Sequence, residues 1–379
     1  MSVSTESVHS EAQSDNRVFA KLWIVCERTV FQPMSPERFC SCVVGIVCGT
    51  LFAIGLFNWL VNPYGQYSTQ WFEPIVQDSR SEKMELFDRL DSPPEGLILG
   101  SSRTMKFEPS YLRKHTSMSC FNFGVNHGRP EDFLAIVRMY RDRFGEFPKL
   151  VLIGVDLASL DDVVPNDARL SSEPRMLAYA RDTQSWSDEF DRYSQLLSYQ
   201  QLTASIRSVW RKRSPQNEDP IATQFTADGV IRYVEREKQI ENGSYDFNKS
   251  LDYNEKEFLS LFGRLNEVSA KRLGYLHETV RLCTENNCRV YLFSTVHHPR
   301  LRESLVSKTK FQKVEADALK SLAEIAQELD ASFVDFGAID RFSGDERAFV
   351  DGIHPTESNT RRMIDRLISV PQEGSYAIQ

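Results

Sequence analysis

"LILGSSRTMKF", residues 97–107, is an apolar run that stops at a glycine, two serines and an arginine. Two readings are open. In one, a buried strand turns into a helix and the serines cap it. In the other, one serine is a nucleophile presented at a strand end. The pattern around the stretch fixes the fold class. "GLILGS" (96–101), "SCFNFGV" (119–125), "KLVLIGVDL" (149–157), "CRVYLFSTV" (288–296) and "ASFVDFGAI" (331–339) are short runs, apolar through their length, and read as buried strands. "PEDFLAIVRMYRDRF" (130–144), "KVEADALKSLAEIAQEL" (313–329) and "PTESNTRRMIDRLI" (355–368) have helical spacing, and "EKMELFDRL" reads as a short helix before the first strand. Such alternation predicts an α/β fold with a five-stranded parallel sheet covered on both faces.

The alternation is interrupted over 158–253, a stretch rich in Ser, Asp, Arg and Tyr that reads as an insertion bordering the site. Within it "TADGVIRY" carries Asp228-Gly229, a hairpin-turn dipeptide. Residues 254–283 then read as one long amphipathic helix with Phe258, Leu261, Leu265, Val268, Leu273 and Leu276 inward.

Residues 39–61, "FCSCVVGIVCGTLFAIGLFNWLV", carry no charge. A run of about 20 apolar residues crosses a bilayer core, and this one is too long and too late for a cleaved signal peptide. It is expected to hold the chain in a lipid bilayer. Lys21, Arg28 and Arg38 precede it, and no Lys or Arg follows before Arg80. That bias places the N-terminus inside and everything after Val61 outside the inner membrane, periplasmic or extracellular. The expected organisation is a partly disordered tail (1–38), a transmembrane helix (39–61), a juxtamembrane connection (62–94), an α/β domain (95–370) and a C-terminal tail (371–379). The net charge of −8 excludes a general nucleic-acid binder. Phosphoryl transfer lacks a Walker-type glycine loop or an acidic metal cluster. Cys283 and Cys288 flank "TENN" and are either a disulfide or two thiols.

In an open parallel sheet, sites form at the carboxyl ends of the strands. The residues there are Ser101, Ser102, Arg103, the 124–128 glycine block, Asp156, His297 and His298. Just before the last helix stands "DGIHPT", where Asp351 and His354, three apart on a turn, can place a carboxylate behind an imidazole. "VHHPR" is a polar loop, a pocket lining or a metal site. "RKR" at 211–213, beside Trp210, is a solvated helix end or a contact with anionic polymer or lipid headgroups.

These blocks together resemble the SGNH (GDSL-type) hydrolase superfamily over roughly residues 95–370. "GSSRT" stands at the family's Gly-Asp-Ser block, with Ser102 at the nucleophile and Ser101 in place of the aspartate. "FNFGVNHGRPED" resembles the glycine block, with Asn126, His127 and Gly128. "GVD" stands at the Gly-x-Asn block, with Asp156 in place of Asn, and "DGIHPT" is similar to the closing Asp-x-x-His block. With the anchor, the chain looks most like bacterial envelope members, relatives of the teichoic-acid D-alanylation and exopolysaccharide O-acetylation proteins. The resemblance implies an SGNH-like, flavodoxin-like three-layer α/β/α sandwich. It implies ester cleavage or acyl transfer through an acyl-serine, without cofactor or metal, on a cell-surface glycan or acylated polymer, with a membrane acyl-donor protein as the partner where the reaction is transfer. Ser102 would attack, His354 relay the proton and Asp351 orient it. The amides of Ser102 and Gly128 would hold the oxyanion. Asp156 cannot donate to an oxyanion while ionised. It is expected either to pair with Arg103, leaving Asn126 as a donor, or to stay protonated. The alternative is a catalytically silent SGNH-like domain that binds glycan or scaffolds an envelope complex.

Overall fold

The computed structural model describes residues 35–64, 67, 69, 71, 72, 79–161, 170, 173–181, 193–213 and 223–370. Most of the N-terminal tail and all of residues 371–379 lie outside them. The first helix, α1 (Pro36–Val61), has 26 residues and a mean hydropathy of 2.3 over its most apolar window, enough by length and composition to cross a membrane. None of the residues in its most apolar window is buried, with Phe52 at 72% and Ile46 at 69% exposure, while Asn58 and Val61 at its C-terminal end are buried. It starts three residues before the uncharged run, taking Glu37 and Arg38 into its first turn.

The α/β unit is a five-stranded, wholly parallel sheet in the order β2-β1-β3-β6-β7. Its strands are β1 (Gly96–Leu99), β2 (Cys120–Asn122), β3 (Leu150–Val155), β6 (Arg289–Ser294) and β7 (Ser332–Asp335). Each lies inside one of the five apolar runs. Alternate residues feed two cores, because successive strand side chains point to opposite faces. On one face Leu97, Leu99, Val151, Ile153 and Leu292 pack against α2 (Arg80–Asp88), α4 (Pro130–Phe144), α9 (Ala270–Glu285) and α11 (Phe311–Glu328). On the other, Ile98, Leu152, Phe293 and Val334 pack against α3 (Pro109–Thr116) and α12 (Glu357–Ile368). Both faces are covered, so the strands read as continuous apolar runs rather than alternating ones. The order reverses direction between β1 and β3, and such a switch point opens a crevice at the carboxyl ends of the strands.

Between β3 and β6 the chain forms α5 (Pro174–Ala180), α6 (Tyr199–Arg213), a hairpin of β4 (Thr223–Phe225) and β5 (Ile231–Tyr233), α7 (Val234–Glu241) and α8 (Phe247–Phe262). Asp228-Gly229 sits in the hairpin loop, where the Asp228 carbonyl accepts from Asn122 N at 2.9 Å. The single helix expected over 254–283 is two. α8 stops at Gly263, and α9 starts with Ser269 as N-cap, its hydroxyl accepting from Arg272 N at 3.2 Å. The break has a physical reason. Ser269 N donates to Leu160 O at 2.8 Å, and Leu265 is buried, so tertiary contacts outweigh helical continuity. A further helix, α10 (Pro299–Lys308), follows β6. Cys283 and Cys288 are buried free thiols in contact with one another.

Candidate active site

The turn after β1 is not a helix start. The chain runs from Gly100 through turns over 102–106, with Thr104 N donating to Ser101 O at 3.0 Å and Phe107 N to Thr104 O at 2.9 Å. The two readings of the serines divide between the two residues. Ser101 is buried and its hydroxyl accepts from Arg103 N at 3.2 Å, a local turn bond. Ser102 points its hydroxyl elsewhere. Neither caps α3, whose N-cap is Glu108.

Three elements lock this turn. Fully buried Asn122 at the end of β2 donates to Thr104 O (2.9 Å) and Phe107 O (2.8 Å) and accepts from Gly124 N (2.9 Å). Ile231 N of the hairpin donates to Met105 O at 3.1 Å, and the Thr360 hydroxyl of α12 donates to Lys106 O at 3.1 Å.

Residues 252 apart in sequence meet here. His354 Nε2 lies 2.8 Å from Ser102 Oγ. His354 Nδ1 lies 2.9 Å and 2.8 Å from the two oxygens of Asp351. An ionised carboxylate only accepts, so Nδ1 carries the proton and Nε2 is left as the acceptor for the serine O–H. Asp351 also accepts from the backbone N of Ile353 (2.9 Å) and of His354 (3.0 Å), and from Arg236 Nη1 of α7 (3.2 Å). Burial by itself would raise this carboxyl. The adjacent His354, those hydrogen bonds and Arg236 outweigh it, and the carboxyl lies well below the usual range. The loop is fastened by His298 N to Gly352 O (3.0 Å), Gly352 N to Asn254 Oδ1 (2.9 Å) and Tyr245 Oη to Val350 O (2.6 Å).

The other expected site residues fall in three groups. Asp156, Arg103 and Thr295 form a cluster at the ends of β3, β1 and β6. Thr295 Oγ1 donates to Asp156 Oδ1 (2.6 Å) and accepts from Arg103 Nη1 (2.9 Å), while Arg103 Nε stands 3.7 Å from Asp156 Oδ2. The Arg103–Asp156 pair is therefore long and bridged through a hydroxyl. Asn126 and Gly128 lie in the loop after β2. Asn126 N donates to Ser79 Oγ at 2.7 Å. Gly128 N donates to Val125 O at 3.0 Å, which differs from the oxyanion donor expected of it, because the turn that brings Gly128 against Gly100 takes up its N–H. Among the described residues the Ser102 amide donates to no acceptor. His127 is exposed with φ +50°.

His297 and His298 depart from the expected pocket lining. His297 is 1% exposed, boxed by Phe258, Phe262 and Phe311, with Nε2 at 3.2 Å from Arg103 Nη2. Burial, then the nearby Arg103 and Arg302, push its proton affinity far down, so it is a neutral acceptor for the arginine. His298 caps α10, its Nδ1 accepting from Arg300 N at 3.3 Å, and packs between Phe247 and Phe349. Among the described residues no group of three or more His, Cys, Asp or Glu could hold a metal ion.

Beside the relay opens a cleft of about 350 Å³, lined among others by Lys106, Tyr233, Arg236, Glu237, Val350 and Glu357. The Tyr233 ring stands 6.1 Å from the His354 ring. Two contributors to this region escaped sequence reasoning. Thr295 had a partial signal, since it stands at the carboxyl end of the apolar run 288–296; the register Ser294↔Val155 is what brings it beside residue 156. Arg236 had none, because it sits in a segment without periodicity.

No protein-family model matches the chain, and no curated protein matches it.

Proposed function

We propose that this chain is a membrane-anchored serine esterase or O-acyltransferase of the SGNH kind. It acts on acyl esters, acetyl in the first instance, of a cell-envelope polysaccharide. The N-terminus lies in the cytoplasm, and a membrane protein hands over the acyl group where the reaction is transfer. The observation that carries the reading is the continuous relay Ser102 Oγ–His354 Nε2–Asp351, with bonds of 2.8 Å on each side of the imidazole.

The chemistry follows from that geometry. Ser102 Oγ attacks the acyl carbon while its proton passes to His354 Nε2. Asp351 stabilises the imidazolium that forms and stays ionised. The ester C–O bond breaks as His354 returns the proton to the leaving alkoxide, and an acyl-serine remains. Water or a sugar hydroxyl then gives its proton to His354 and attacks the acyl carbon, the bond to Ser102 Oγ breaks, and His354 returns the proton to Ser102 Oγ. The Ser102 amide, which donates to no acceptor among the described residues, is left available to the developing oxyanion, and such a donor contributes roughly 3 kcal/mol. α1 supplies the anchor.

A second reading, a catalytically silent domain that binds glycan or scaffolds an envelope complex, has two observations in its favour. A carboxylate, Asp156, stands where the resembled family has an amide, and the Gly128 N–H is occupied. Turnover separates the two. The detergent-solubilised chain should release p-nitrophenol from p-nitrophenyl acetate, and Ser102→Ala should not. Equal release by both proteins would count for the silent domain.

A further inference from the structure

We propose that Arg236 is a positioning residue for the relay: it grips the far side of Asp351 and offsets part of the carboxylate charge that faces His354. The inference rests on the acyl-serine reading above. It adds a residue that neither the Ser-His-Asp pattern nor the sequence blocks contain.

The geometry is that of a held cation, not of a loose surface pair. Arg236 Nη1 is 3.2 Å from Asp351 Oδ2, and both side chains are largely buried, at 15% and 6% exposure. The guanidinium carbon lies 5.4 Å from the Tyr233 ring centre and 5.6 Å from that of Tyr245. Each tyrosine is itself fixed on the same loop. Tyr245 Oη bonds Val350 O at 2.6 Å and Ser250 Oγ at 2.9 Å, and Tyr233 packs on His354. Among the described residues Asp351 is the one carboxylate paired with Arg236. A planar guanidinium stacked on aromatic faces loses little further freedom on pairing, so it can hold a carboxylate in one orientation.

The charges facing the relay define the electrostatic consequence. Asp351 is on the loop itself. Arg236 reaches it from α7, and Arg103, from the turn after β1, acts on it at longer range. The Tyr233 hydroxyl from β5 and the Tyr245 hydroxyl before α8 are both raised by burial and stay neutral. His298 from α10 is lowered by burial and meets the loop through its backbone N–H. Arg236 is thus the nearest cation. It partly cancels the carboxylate charge as seen by the imidazole. Removing the cation reverses this. The full carboxylate charge then faces the imidazole, and the pH dependence of serine attack is expected to move to higher pH.

The test is the pH profile of the second-order labelling rate with a neutral fluorophosphonate, on the full chain in detergent. The comparison is wild type against Arg236→Gln and Arg236→Lys. The expected result for R236Q is a midpoint raised by about one pH unit, which is about a tenfold loss of rate on the acid side. The high-pH plateau should fall only a few-fold, and R236K should restore the midpoint. Arg236→Met, which keeps an apolar stem on both tyrosine rings, replaces R236Q if the latter does not fold. Labelling of all variants with one unchanged midpoint overturns the role of Arg236 and leaves the acyl-serine reading intact. No labelling of wild type at any pH overturns both.

Discussion

Replacing Gly128 by alanine tests whether the close approach of two loops holds the serine in place. A Cβ at residue 128 would lie 2.2 Å from Gly100 O, 2.8 Å from Gly100 C and 3.2 Å from Ser101 N. All three are backbone atoms, so no side-chain rotation relieves the clash, and a normal contact requires about 1 Å of displacement. Gly100 cannot supply it. Its φ is +148°, and its own Cβ position is closed off by Thr104 and by Gly154 O at 2.9 Å. The 126–128 loop must therefore move and loosen the Val125 N to Gly100 O bond of 3.0 Å. Overpacking costs about 1–3 kcal/mol, and the weakened bond about 1 kcal/mol more. A destabilisation of about 2–4 kcal/mol should appear in guanidinium melts. Where the protein remains folded, the loosened Val125–Gly100 bond removes support from the Ser102 turn, and misplacement of the nucleophile should reduce fluorophosphonate labelling by up to about 100-fold. Gly145→Ala is the control. Gly145 has φ +74° with open space around it at the end of α4, far from the turn. It should cost about 1 kcal/mol of backbone strain and leave labelling unchanged. If G128A matches wild type within 0.5 kcal/mol and labels at the same rate, the packing argument is wrong.

Further outcomes follow from the same geometry. Asp351→Asn keeps the shape but turns an amide N–H toward Arg236 or toward His354, so labelling should fall about 10³–10⁴-fold with the fold retained. A loss below tenfold contradicts the relay. The Asp351 carboxyl is depressed in the folded state, so the stability it contributes is complete above its unfolded value near 3.9 and is lost as pH falls from there toward the folded one. Thermal melts of wild type and D351N should therefore converge on acidification below about pH 4, and a constant gap would refute the assignment. Arg103→Met leaves buried His297 Nε2 and Asp156 without their cation and should destabilise by about 3–5 kcal/mol, measured by denaturant melts. A variant as stable as wild type would mean that the bridge through Thr295 suffices.

How far the sequence carried depends on what kind of interaction placed each residue. The five strands were legible because a doubly covered sheet demands unbroken apolar runs, and Gly96–Leu99 through Ser332–Asp335 each lie inside one. Asp351 and His354 were legible because a three-residue spacing on a turn is local. What joins them to Ser102 is not local, and it rests on sheet order and on bonds such as Thr360 to Lys106 that leave no periodic trace. The histidine pair was left among three readings for a related reason. A strand end is the right place for a site, but solvent reach there is decided by Phe258, Phe262 and Phe311 from other elements. The helix break at 263–269 likewise answers to Leu160, a residue a hundred positions earlier. Arg236 lies where neither period nor motif operates, and only the folded chain brings it to Asp351.

The most direct measurement is the position of a fluorophosphonate adduct within the peptide 97–107, mapped by tandem mass spectrometry. The relay predicts an adduct on Ser102 that persists in Ser101→Ala and disappears in Ser102→Ala and His354→Ala. An adduct on Ser101, or an unmodified peptide in wild type while a known serine hydrolase in the same tube is fully labelled, would contradict it.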